Sequence, residues 1–84
     1  MKLQAIFWDY PQFQEEDFLR AFLRKSSNNQ TYYWIMTRFL EHGRVIDTLS
    51  FFSLKEIASN LPKLKLSQYS QRKWTRLLEV YDAA

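Results

Sequence analysis

The stretch Ser53-Leu54-Lys55-Glu56-Ile57-Ala58-Ser59-Asn60-Leu61-Pro62 holds a helix start, an apolar face and a stop. Ser53 and Glu56 have the spacing of a capping box, in which the serine hydroxyl accepts from a backbone N–H and the glutamate reaches back to the N–H of the serine. Leu54, Ile57, Ala58 and Leu61 follow at the i, i+3, i+4, i+7 spacing of one helical face. Pro62 has no N–H to donate and ends the helix. A helical reading of the chain grows outward from here.

Toward the carboxyl end, "PKLKLS" carries Lys63 and Lys65 in a connector. A last helix then runs from Ser67 or Ser70 to Tyr81, with Trp74, Leu77, Leu78 and Tyr81 as its apolar stripe and Gln71, Arg72, Lys73, Thr75 and Arg76 to the sides or opposite. Toward the amino end, Val45, Ile46, Leu49 and Phe52 form a short helical face that Ser53 closes. Before it, Thr31 to His42 reads as a helix with Tyr32, Met36, Phe39 and Leu40 on one side. Trp34, Arg38 and Glu41 share another side, which makes Trp34 a candidate for partial exposure.

Between these two helices stand His42 and Gly43, the single histidine and single glycine of the chain. Histidine in a last turn followed by glycine fits a left-handed C-terminal cap, since glycine accepts positive φ and the imidazole meets the negative dipole end. A catalytic His42 needs a nucleophile or a metal to work with, and the sequence supplies neither a cysteine nor a second histidine. The bend is the reading.

Earlier still, "SSNNQ" (26–30) is a polar turn, and Gln14 to Lys25 reads as a helix with Phe18, Leu19, Phe22 and Leu23 inward and Arg20 and Arg24 outward. Glu15, Glu16 and Asp17 occupy its first turn, where carboxylates meet the positive dipole end, and no second ligand cluster argues for a metal there. "LQAIFWDY", before Pro11, lacks helical spacing and reads as an extended arm or one short strand. A lone strand needs something to lie on, within the chain or on a partner.

The 84 residues make one domain, with 46% hydrophobic and 18% aromatic residues, enough for a core. The expected fold is all-α: a bundle of four to five short helices over 13–84, an extended arm over 1–12, and a helix-turn-helix-like end. Without cysteine there is no disulfide framework, so a cytoplasmic, reducing setting is expected. Arg38, Glu41 and Arg44 interrupt the richest apolar region, which excludes a membrane span there. The net charge of +3 is concentrated in 55–76, where Lys55, Lys63, Lys65, Arg72, Lys73 and Arg76 face Glu56 alone. That asymmetry suits phosphates or an acidic partner.

A short helix followed by one with "QRKWTR" outermost has the outline of a helix-turn-helix, whose second helix reads bases from the major groove. On that reading Lys63, Lys65, Arg72, Lys73 and Arg76 contact duplex DNA. The connector is longer than the usual turn, and a solvated basic face is the plain alternative. No glycine-rich phosphate loop or local catalytic signature is present, so no enzyme and no cofactor is expected.

"IFWDY", "RFLEHGRVIDTLSFF", "LKEIASNL" and the combination of Leu66, Ser67 and Trp74 resemble a family of short bacterial proteins of unknown function. Members typically begin with a Phe-Trp-Asp arm, contain an arginine-rich helix ending Glu-x-Gly, and finish with a Leu-Ser…Trp helix. The resemblance spans nearly the whole chain, although "SSNNQTYYW" has no counterpart in the pattern. Genes for such proteins often stand beside nucleotidyltransferase-like toxins of the abortive-infection class. The resemblance therefore implies an antitoxin-like protein that binds and neutralises a cognate toxin. Phe7 and Trp8 match the arm motif and, with Trp34, are the candidate partner-binding residues. An arm used as an intermolecular strand is also compatible with a homodimer.

Overall fold

The computed structural model describes residues 3–25 and 29–82. It contains five α-helices: α1 (Glu16–Lys25), α2 (Gln30–His42), α3 (Val45–Phe51), α4 (Leu54–Asn60) and α5 (Gln68–Asp82). Three 3-10 turns, Leu3–Ala5, Pro11–Gln14 and Leu61–Lys63, complete the described structure, and no strand occurs among the described residues. The fold is an all-α bundle. Within the described residues no helix is long and apolar enough to cross a membrane. The polar turn expected at 26–30 lies partly outside the described residues; Asn29 caps α2 by accepting from the Tyr32 N–H at 2.9 Å.

The central element is α2, which sends Tyr32, Ile35, Met36, Phe39 and Leu40 into the core. Leu3, Ile6, Phe7, Phe13, Leu19, Phe52, Ile57 and Trp74 close around them. Phe39 receives Phe7 from one direction at 5.8 Å and Phe52 from another at 5.5 Å, both edge to face.

The first residues do not form the extended arm expected of them. Leu3 accepts from the N–H groups of Ile6 and Phe7 at 3.0 and 2.8 Å, and the tight turn places Leu3 and Ile6 on one side. Both are buried, as is Phe7, which is 0% exposed. Burying a side chain of this size is worth about 1.5–3 kcal/mol, so the segment gains more by packing on α2 than by staying extended. Phe7 is a core residue that leaves none of its surface exposed. Within the described residues the segment is coiled into two 3-10 turns and forms no strand.

Gly43 also differs from expectation. Its φ of −90° and ψ of 158° are extended backbone that any residue adopts. The position demands glycine for another reason: a Cβ there would stand 2.8 Å from the Phe39 carbonyl oxygen, 3.1 Å from Ile6 Cδ1 and 3.2 Å from Thr48 Oγ1. The bend is a point of close approach between α2, α3 and the amino-terminal turn.

The capping box at Ser53 forms as read, with Glu56 N donating to Ser53 Oγ at 3.0 Å and Ser53 N to Glu56 Oε1 at 3.1 Å. The other carboxylate oxygen of Glu56 accepts from the buried Tyr32 hydroxyl at 2.8 Å. In α3, however, Thr48 is fully buried and Ile46 is 71% exposed. The threonine hydroxyl satisfies itself on the Arg44 carbonyl at 2.9 Å, so a polar residue takes the inward place that apolar spacing gave to Ile46. Phe18 and Tyr81, expected to face inward, are likewise exposed.

Two adjacent residues at the end of α2 hold α5. Glu41 accepts from the Ser67 hydroxyl and N–H at 2.8 and 3.2 Å, and the same hydroxyl accepts from the Ser70 N–H. The Trp74 indole N–H donates to the Leu40 carbonyl at 3.0 Å. Ser67 therefore caps α5, which begins at Gln68 and rests on α2. The segment between α4 and α5, residues 61–67, exceeds the three or four residues of a helix-turn-helix turn.

Candidate functional site

Around Arg38 the structure gathers much of what the sequence offered as a binding surface. Its guanidinium forks onto the Ile6 carbonyl, with Nη2 at 2.7 Å and Nε at 3.1 Å, and pairs with Asp9. The guanidinium carbon lies 4.4 Å from the Trp8 ring centroid and 5.3 Å from that of Trp34, within cation–π range of both. Trp8 also meets the ring of His42 edge to face at 5.0 Å. It nevertheless leaves 58% of its surface in water.

Trp34 is half-buried and lies one helical turn before Arg38. It meets Tyr10 edge to face at 4.9 Å. Beside this pair opens a groove of about 940 Å³, whose aromatic wall is Tyr10, Phe13, Tyr33 and Trp34. Lys63, Leu64 and Lys65 form the facing wall, and Gln30, Thr31 and Thr37 complete it. The Lys63 ammonium stands 5.7 Å from the Tyr33 ring centroid. Among the described residues no carboxylate lines the groove.

The five basic residues assigned to DNA contact are thereby divided. Lys63 and Lys65 belong to the aromatic groove. Arg72 and Arg76 line a shallow depression of about 630 Å³ on the outer face of α5, together with Gln68, Gln71, Thr75 and Glu79. Lys73 is half-buried and turns toward Tyr69 and Trp74, each ring centroid 5.8 Å from its ammonium.

His42 stacks on Trp8 at the end of α2, and among the described residues no three His, Cys, Asp or Glu side chains come together in a way that could hold a metal ion. Among the described residues two ionisable groups are shifted, both in structural roles. Burial pushes the Tyr32 phenol up, and its hydrogen bond to the Glu56 carboxylate pushes it further. Burial raises Glu41, but the hydroxyls of Ser70 and Ser67, the Ser67 N–H and the nearby His42 outweigh it and hold the carboxyl below its ordinary value.

Sequence reading missed Tyr10 and Tyr33 as surface aromatics and missed the approach of Lys63 and Lys65 to them. The adjacency of Tyr33 to Trp34 was the available signal; the opposite wall comes from about thirty residues later, and no local spacing encodes it. Comparison of the chain with family models, curated proteins and solved structures finds no match.

Proposed function

We propose that the protein is a small antitoxin-like interaction protein that binds and neutralises a nucleotidyltransferase-type toxin, the partner implied by its resemblance to the short bacterial family. The observation that carries this reading is Trp8, an indole 58% exposed yet held by contacts with both Arg38 and His42. An aromatic side chain already fixed in place loses little entropy on binding, and tryptophan is a preferred interface anchor. Trp34 contributes through the adjoining half-buried surface, and Phe7 supports it from the core. The test is co-expression with the product of the neighbouring gene and affinity capture of the small protein. Stoichiometric recovery that Trp8→Ala reduces at least about tenfold is expected, an anchor being worth about 2 kcal/mol or more; capture unchanged by the substitution would remove Trp8 as the contact.

A second reading, regulation through duplex DNA, is favoured by the outer face of α5, where Gln68, Gln71, Arg72 and Arg76 stand together. Amide and guanidinium groups on one helix suit base edges and phosphates. Arg72→Ala and Arg76→Ala then weaken duplex binding, and affinity falls steeply with salt. Salt-independent binding would exclude this mode.

A further inference from the structure

We propose that the groove between Tyr33, Trp34 and the Lys63–Lys65 segment binds single-stranded nucleic acid, with bases stacked on the aromatic wall and phosphates held by the two lysines. This site is separate from the outer face of α5 and adjoins the Trp8 surface, with Trp34 bordering both.

The walls supply the two kinds of group that such a ligand requires. Unpaired bases stack on aromatic rings irrespective of their identity, and lysines track the backbone charge. Lys63 closes the 3-10 turn and Lys65 follows Leu64, whose φ of −93° and ψ of 143° are extended; both lysines are exposed, so two cations are offered two residues apart. Among the described residues no carboxylate lines the groove; Glu56, which shares a neighbouring depression with Lys63, is hydrogen-bonded to Tyr32 and Ser53, and Asp9 is engaged by Arg38. Gln30 and Thr31, the first residues of α2, also border it, adding the positive end of that helix's dipole to the same side.

Alternative anionic occupants use this shape less well. Duplex DNA keeps its bases paired and stacked inside, leaving the rings with nothing to stack on. An acidic peptide would satisfy the lysines, but a peptide's apolar anchor is gripped best in an enclosed pocket, and this groove lies open along Tyr10 and Trp34.

The test uses the intact chain and three probes: a fluorescein-labelled oligo(dT) of about a dozen nucleotides, the corresponding duplex, and a poly-glutamate peptide. Anisotropy at about 50 mM salt is expected to give saturable binding of the oligo(dT) at or below about 0.1 mM, with a log–log salt slope near −1.4, about −0.7 for each of two phosphates. Lys63→Glu with Lys65→Glu, both at exposed positions, lowers affinity at least roughly tenfold. Trp8→Ala and Arg72→Ala with Arg76→Ala leave it unchanged, so failure here is distinct from failure of either reading above. Trp34→Phe keeps a ring in place and abolishes oligo(dT)-dependent quenching of tryptophan fluorescence. The proposal is overturned by no saturable binding, by equal or tighter binding of the duplex, by indifference to the lysine substitutions, or by poly-glutamate binding with the same lysine dependence, which would make the groove a site for acidic peptides.

Discussion

The indole N–H of Trp74 in α5 donates to the carbonyl of Leu40 in the last turn of α2, 34 positions earlier in the chain. That carbonyl is one of the four that a helix end leaves without a partner in its own ladder. A side chain from the end of the sequence thus completes a helix in its middle. Trp74→Phe keeps most of the buried volume and removes the donor, and is expected to cost about 1–3 kcal/mol, seen as a fall in Tm of roughly 5–15 °C. An unchanged Tm would mean that the bond contributes nothing net.

Gly43→Ala is expected to destabilise by about 1–3 kcal/mol, because the added methyl meets the backbone oxygen of Phe39, which cannot rotate away. Gly43→Asn discriminates between two origins of the glycine. A left-handed cap tolerates asparagine, whereas a position short of space accepts it no better than alanine. Urea midpoints of the two variants decide; an asparagine variant close to wild type would contradict the steric account.

Arg38→Lys preserves the charge and loses the fork onto the Ile6 carbonyl. A cost of roughly 1–2 kcal/mol follows, and it should be local. Amide exchange should accelerate in residues 6–10 while the amides of α4 stay protected. Uniform acceleration through the chain would show that Arg38 supports the whole core instead.

Glu41 has its carboxyl lowered in the folded state, so its contribution is complete above the unfolded carboxylate value and is lost as pH falls through the lowered one. Tyr32 is raised; its contribution is complete below the ordinary tyrosine value and is lost as pH climbs past it. Glu41→Gln should flatten the acid limb of the stability profile and Tyr32→Phe the alkaline limb. Chemical denaturation across pH separates the two, and a limb unaffected by its substitution would assign that limb elsewhere.

What could be read from sequence was local. Ser53 and Glu56 make their capping box within one turn, and the apolar residues of α2 declare its buried face through spacing alone. Gly43 stands out in the sequence, but for a different reason than its crowding, which comes from the Phe39 carbonyl together with Ile6 and Thr48; the approach of Ile6 is a tertiary contact that no local spacing announces. Phe7 was misplaced since a segment without periodicity gives no hint of the surface it will cover. The groove was the least legible feature: Tyr33 and Lys63 meet only once α2 and the turn after α4 are in place.

The amino-terminal turn and α5 are fastened to the same helix, Ile6 through Arg38 and α5 through Glu41 and Leu40. This gives α2 a kinetic role. Contacts of such long sequence separation form after the local turns that join α2 to α3. Substitutions at Ile6 or Trp74 should chiefly hasten unfolding, and those at Met36 or Phe39 should slow refolding.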